Sequence, residues 1–64
     1  NMEPILLRIT DVSKITSLSR STIYRLIAND EFPKQIAIGN RQARWSRTEV
    51  EEWCHEQIYA SQAY

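Results

Sequence analysis

Arg20, Ser21, Tyr24, Arg25 and Ala28 recur at the spacing that places them on one side of a helix, while Ile23, Leu26 and Ile27 fall at i, i+3 and i+4 on the other. The polar side is a set of donors. Each guanidinium can give two parallel hydrogen bonds to a phosphate or to the O6 and N7 edge of a guanine, and each hydroxyl can give one to an anionic oxygen. That is recognition chemistry. No serine, cysteine or carboxylate of the chain stands in a catalytic constellation, so the sequence reads as a non-enzyme, with no cofactor and no small-molecule ligand.

Short elements must position this face. Thr10 is expected to cap a first helix from about Asp11 to Thr16, burying Val12 and Ile15 and placing Asp11 at its positive end. Leu18 then sits in a tight turn, and Ser19 caps a second helix that ends near Asn29, where Phe32 and Pro33 close the segment. Two short helices joined by so brief a turn form the helix-turn-helix pattern, whose second helix enters the major groove of DNA.

From Gln35 the apolar period changes from helical to alternating. "QIAIGNRQARWS" reads as a hairpin with a loop over Gly39 to Gln42, pairing Ile38 with Ala43 and Ile36 with Trp45 on a buried side. Arg44 then points outward and Arg41 lies at the tip. A basic hairpin in this position is a wing, able to reach phosphates or a second groove. A third helix is announced by Ser46 with Glu49, a capping box, and by Trp45 with Val50, a hydrophobic staple. Glu49, Glu51 and Glu52 in its first turns suit the helix dipole, and Val50 and Trp53, with Cys54 or Gln57, turn inward. The expected fold is mainly α with a small β-hairpin, a winged helix-turn-helix of three helices plus wing. Residues 1–8 form an N-terminal segment, 9–57 the domain and 58–64 a frayed tail, with Asn1 read as a tag remnant before Met2.

With 64 residues there is room for one domain and for no deep substrate cavity. The formal net charge is zero, yet all eight basic residues lie between Arg8 and Arg47, opposed there only by Asp11, Asp30 and Glu31, an excess of five. The remainder carries an equal acidic excess, from Glu3, Glu49, Glu51, Glu52 and Glu56. One face is therefore suited to a polyanion. The lone Cys54 excludes an internal disulfide and leaves no cysteine pair for zinc, and the longest apolar runs, "ILL" and "IAI", are too short for a membrane span; a reducing cytoplasm is the expected location. His55 has no ligand partners at metal spacing, so no metal is expected. Trp45 and Trp53 are assigned to packing rather than to base stacking.

The run "LRITDVSKITSLSRSTIYRLIANDEFPKQIAIGNRQARWSRTEVEEW" resembles the AlpA family of phage-derived transcriptional regulators, relatives of the excisionases and of MerR-type DNA-binding domains. The most specific pieces are "LSRSTIYRLI", the following "FP" and "GNRQARWSRTEVEEW". The resemblance implies sequence-specific binding of double-stranded bacterial or prophage DNA, without a cofactor. Arg20, Ser21, Tyr24 and Arg25 would be recognition-helix contacts and Arg41 a wing contact, with Arg44 beside it. Two positions depart from the family pattern: Ser17 stands where glycine is common, and Asn29 to Glu31 replace a more basic, glycine-containing segment. Transcriptional regulation is the leading reading. An excisionase-like factor that bends DNA for an integrase is the alternative, and a protein-interaction module without nucleic acid is the third. One short recognition helix plus a wing contacts few bases, so neighbouring protomers on repeated half-sites are expected partners.

Overall fold

A computed structural model describes residues 4–62. Its elements are β1 (Leu6–Leu7), α1 (Ile9–Thr16), α2 (Arg20–Ala28), β2 (Ile36–Ile38), β3 (Gln42–Ser46) and α3 (Arg47–Gln62). Three helices and a small antiparallel sheet of order β1-β3-β2 make the expected winged-helix architecture. β1 is an addition to it. Leu6 pairs with Ser46 and Leu7 with Trp45, so the strand that ends the wing is central rather than an edge.

The helix starts follow side-chain chemistry, with one correction. α1 begins earlier than expected, and its cap is Arg8 rather than Thr10: the Arg8 N–H donates to Asp11 Oδ2 at 3.1 Å. The aspartate thus satisfies a backbone donor ahead of the helix, which draws Ile9 and Thr10 into the first turn. Val12 is buried as expected, but Ile15 stays 43 % exposed. Ser19 caps α2 by accepting from the Thr22 N–H at 3.3 Å, and the Ser46 hydroxyl does the same for Glu49 at the start of α3. α3 continues to Gln62, through most of the stretch where the sequence suggested fraying; residues 63 and 64 lie outside the described part.

The turn between α1 and α2 explains the first departure from the family pattern. Ser17 adopts a left-handed backbone, φ 60°, where glycine would be unstrained. Neighbouring hydroxyls hold it there: Thr16 Oγ1 donates to the Val12 carbonyl at 2.8 Å and accepts from the Leu18 N–H at 3.3 Å, while Ser13 Oγ donates to the Leu18 carbonyl at 2.6 Å. The second departure has the same cause. Past α2, the Asp30 N–H donates to the Ile27 carbonyl at 3.0 Å and the Glu31 N–H to the Leu26 carbonyl at 2.8 Å, a Schellman closure with Asp30 at φ 58°. Aspartate tolerates that region better than most side chains.

The wing register differs from the sequence expectation by one residue. Ile36 pairs with Arg44, Ala37 with Ala43 and Ile38 with Gln42, leaving a three-residue connection from Gly39 to Arg41. Gly39 at φ 59° and Arg41 at φ 71° make that connection possible. Because side chains alternate along a strand, the slip turns Ile36 and Ile38 outward, 40 % and 39 % exposed, and gives Ala37 and Ala43 the face shared with Trp45. β1 pairs with the other edge of β3, Leu7 opposite Trp45, and Trp45 is buried in the core. Ala37 and Ala43 then line an open groove beside Ile27 of α2.

Six residues make the core: Leu7, Val12, Ile23, Phe32, Trp45 and Val50, one each from β1, α1, α2, the loop after it, β3 and α3. Both indoles also tie down the loop after α2. Trp45 Nε1 donates to the Pro33 carbonyl at 3.1 Å, and Trp53 Nε1 to the Glu31 carbonyl at 2.7 Å. The assignment of Trp45 to packing is borne out, since it is 1 % exposed.

Candidate nucleic-acid interface

α2 is amphipathic in the sense expected. Ile23 is fully buried, Leu26 and Ile27 pack against the core, and Arg20, Ser21, Tyr24 and Arg25 are exposed. Arg20 is the first residue of the helix, and Arg25 lies in its last turn. Tyr24 is 45 % exposed and meets the Trp45 ring edge-on, with centroids 6.2 Å apart and planes inclined by 62°. That contact joins the helix to the wing and gives the tyrosine a fixed apolar side, while much of its surface remains open.

The two wing arginines are placed differently. Arg41 is exposed at the hairpin tip and borders an open groove of about 590 Å³ between the end of α2 and the hairpin. Ile27, Ala37 and Ala43 line the groove, with Lys34, Gln35, Arg41 and Gln42 around them. Arg44 shares the outer face of the hairpin with Ile36, away from Trp45. Its guanidinium runs along its own strand, Nη1 donating to the Ala43 carbonyl at 2.9 Å and Nη2 to Gln42 Oε1 at 3.2 Å. The structure thus brings Arg41 to the α2 side and leaves Arg44 on the other face of the wing. Lys34 and Gln35 escaped the sequence reading, because they lie in an irregular stretch with no period to orient them.

The charge asymmetry of the sequence is spatial, with one refinement. A second cleft, of about 600 Å³, is lined by Glu49, Glu52 and Glu56 of α3 together with Asp30 and Glu31. Leu26, Phe32 and Trp53 also line it, and the Phe32 and Trp53 rings stand edge to face at 4.7 Å. Asp30 and Glu31 lie within the basic stretch of the sequence, yet the turn after α2 delivers them to the acidic side. The α2 surface is thereby left more purely basic than the linear count suggests. On α3, burial and then the charge of Glu51 push the Cys54 thiol up, which keeps it protonated and poorly nucleophilic. Among the described residues no His, Cys, Asp and Glu group is arranged to hold a metal ion, and no helix is long and apolar enough to cross a membrane.

Comparison with known proteins agrees with this geometry. The family model described as prophage CP4-57 regulatory protein (AlpA) matches residues 5–58, which takes in every element described above from β1 to most of α3. The chain is also 45 % identical over 47 residues to uncharacterized protein ORF88 of Enterobacteria phage P4, a match covering 73 % of this chain and 53 % of that protein. It therefore spans about half the length of this relative. No solved structure matches it. With the family match running through the helix-turn-helix, the wing and the third helix, the chain belongs to the AlpA family of prophage regulatory proteins.

Proposed function

We propose that this chain is a sequence-specific binder of duplex DNA that regulates transcription of prophage or mobile-element genes. The observation that carries the reading is the coupling of two donor surfaces: α2 exposes Arg20, Ser21, Tyr24 and Arg25, and the Tyr24–Trp45 contact holds that helix against the wing. A helix of this size fits a major groove, and a wing beside it reaches the adjoining backbone or minor groove. Arg20, at the end of the helix that approaches base edges, reads a base. Arg25, a turn further on, grips phosphate, and the hydroxyls of Ser21 and Tyr24 add contacts to the backbone. Arg41 holds phosphate from the wing tip, and Arg44 adds positive charge on its outer face.

The acidic cleft supports a single orientation on DNA, since the carboxylates of Glu31, Glu49, Glu52 and Glu56 there would be repelled by phosphates. Selection of bound sites from a pool of random duplexes tests the proposal. It should enrich a short motif, with repeats at a fixed spacing where several protomers bind together. A pool that emerges unenriched would remove the claim of sequence specificity.

A further inference from the structure

The groove between α2 and the wing is unlike the acidic cleft that adjoins it. None of the residues lining it is acidic; Lys34, Gln35 and Arg41 line it with the small side chains of Ala37 and Ala43. Alanine there matters, because the register that turned Ile36 and Ile38 outward is what leaves the space open. Lys34 already has an anionic partner. Its Nζ lies 3.3 Å from Asp30 Oδ1, both side chains largely exposed, and the Schellman closure of α2 fixes the backbone that carries this carboxylate. An exposed pair of this kind is weak, so a phosphate presented with several other contacts can displace it.

We propose that this groove seats one phosphodiester strand of the bound duplex, gripped by Lys34 on one side and Arg41 on the other. Asp30 acts as a built-in competitor that sets how strongly Lys34 holds. The proposal rests on the DNA-binding reading above and adds to it a contact and its attenuator. Lys34 is a phosphate contact, so it contributes affinity without base preference. Asp30 lowers that affinity from the edge of the neighbouring acidic cleft.

Salt titrations on a random-sequence duplex test it, followed by fluorescence anisotropy with the whole chain. Lys34→Ala should make the salt slope shallower by about one unit, which corresponds to roughly tenfold weaker binding at about 0.1 M salt if the electrostatic part vanishes near 1 M. Lys14→Ala removes the same charge from α1 and should change affinity by less than about twofold, since Lys14 lines a different cleft, with Asp11 and Arg47. Asp30→Asn keeps a side chain suited to the left-handed backbone and should tighten binding roughly 1.5- to 5-fold, the range of an exposed ion pair. That gain should vanish in the Lys34→Ala background. The inference is overturned if Lys34→Ala behaves like Lys14→Ala, or if Asp30→Asn tightens binding equally with and without Lys34, as net charge alone would require. In either case a wild-type chain that still binds DNA keeps the parent reading intact. A wild-type chain that binds no duplex ends both.

Discussion

Two tryptophans anchor the two sides of this molecule, and they do so in different ways. Trp45 is enclosed among β1, α2 and α3, touches Tyr24 edge-on and donates its N–H to the Pro33 carbonyl. Trp53 is half-buried on the rim of the acidic cleft, stacked edge to face on Phe32, with its N–H on the Glu31 carbonyl. Both hold the loop that follows α2. Only Trp45 also holds the α2 surface against the wing, so the basic side depends on the centre of the core while the acidic side depends on its margin. In this 64-residue domain the basic surface is thus tied to the largest enclosed side chain.

The sharpest way to break the comparison is Trp45→Ala. Truncation of a large buried aromatic costs roughly 3–5 kcal/mol, against a total stability of about 3–10 kcal/mol for a domain of this length. The variant should melt at least about 12 °C below wild type, and be unfolded at 37 °C where the wild-type stability lies at the lower end of that range, which circular dichroism melting would read. A cooperative melt within a few degrees of wild type would place Trp45 outside the core.

The basic side can be divided further by Arg20→Ala and Arg41→Ala. With about four arginines neutralising phosphates, log K should fall against log salt with a slope of roughly −3 to −4 per protomer. Arg20→Ala should weaken cognate binding by roughly 1–3 kcal/mol and relax the preference for one base. Arg41→Ala should weaken cognate and scrambled duplexes alike and make the slope shallower by about one unit. Each change removes one positive charge, so charge alone cannot separate them. Equal losses on both duplexes for Arg20→Ala would remove its assignment to base readout.

Trp53→Ala should cost less than Trp45→Ala, about 1–2 kcal/mol, since it loses one ring contact and one hydrogen bond at the surface. Its DNA affinity, measured well below its melting temperature, should stay within about twofold of wild type, because Tyr24 and the wing keep their support. A loss of DNA binding as large as that of Arg20→Ala would mean the acidic side takes part in recognition.

The smallest effect is expected at the turn. Ser17→Gly relieves a left-handed backbone but adds freedom to the unfolded chain, and it leaves the hydroxyls of Ser13 and Thr16 in place. Chemical denaturation should show a gain of no more than about 1 kcal/mol. A clear loss would show that the serine side chain itself contributes to the turn.

Legibility from sequence followed the range of the interactions. Ser19 and Ser46 were readable as caps because their partners, Thr22 and Glu49, stand three residues away. The α2 stripe of Ile23, Leu26 and Ile27 was readable for the same reason, and with it the exposed face of Arg20, Ser21, Tyr24 and Arg25. The cap of α1 went wrong locally: Thr10 is a good capping residue by type, but Asp11 reaches back to Arg8 and shifts the start. The wing was recognisable as a hairpin, yet its register was not, because the odd connection over Gly39 to Arg41 depends on two left-handed residues, one of them an arginine.

What the chain determined by itself, then, is the order and kind of its three helices and hairpin, the polar face of α2 and the excess of basic residues around it. Those follow from spacing and from hydrogen bonds that close within one turn of helix. Tertiary structure alone decided the rest. It recruited Leu6 and Leu7 as a strand against Ser46 and Trp45, turned Ile36 and Ile38 outward and opened the groove beside Lys34 and Arg41. It also carried Asp30 and Glu31 out of the basic stretch to the acidic cleft. The strand, the outward isoleucines and the groove depend on pairing among β1, β2 and β3, and a one-residue change of register reverses which side of a strand is buried, so no pattern within one element could have settled them.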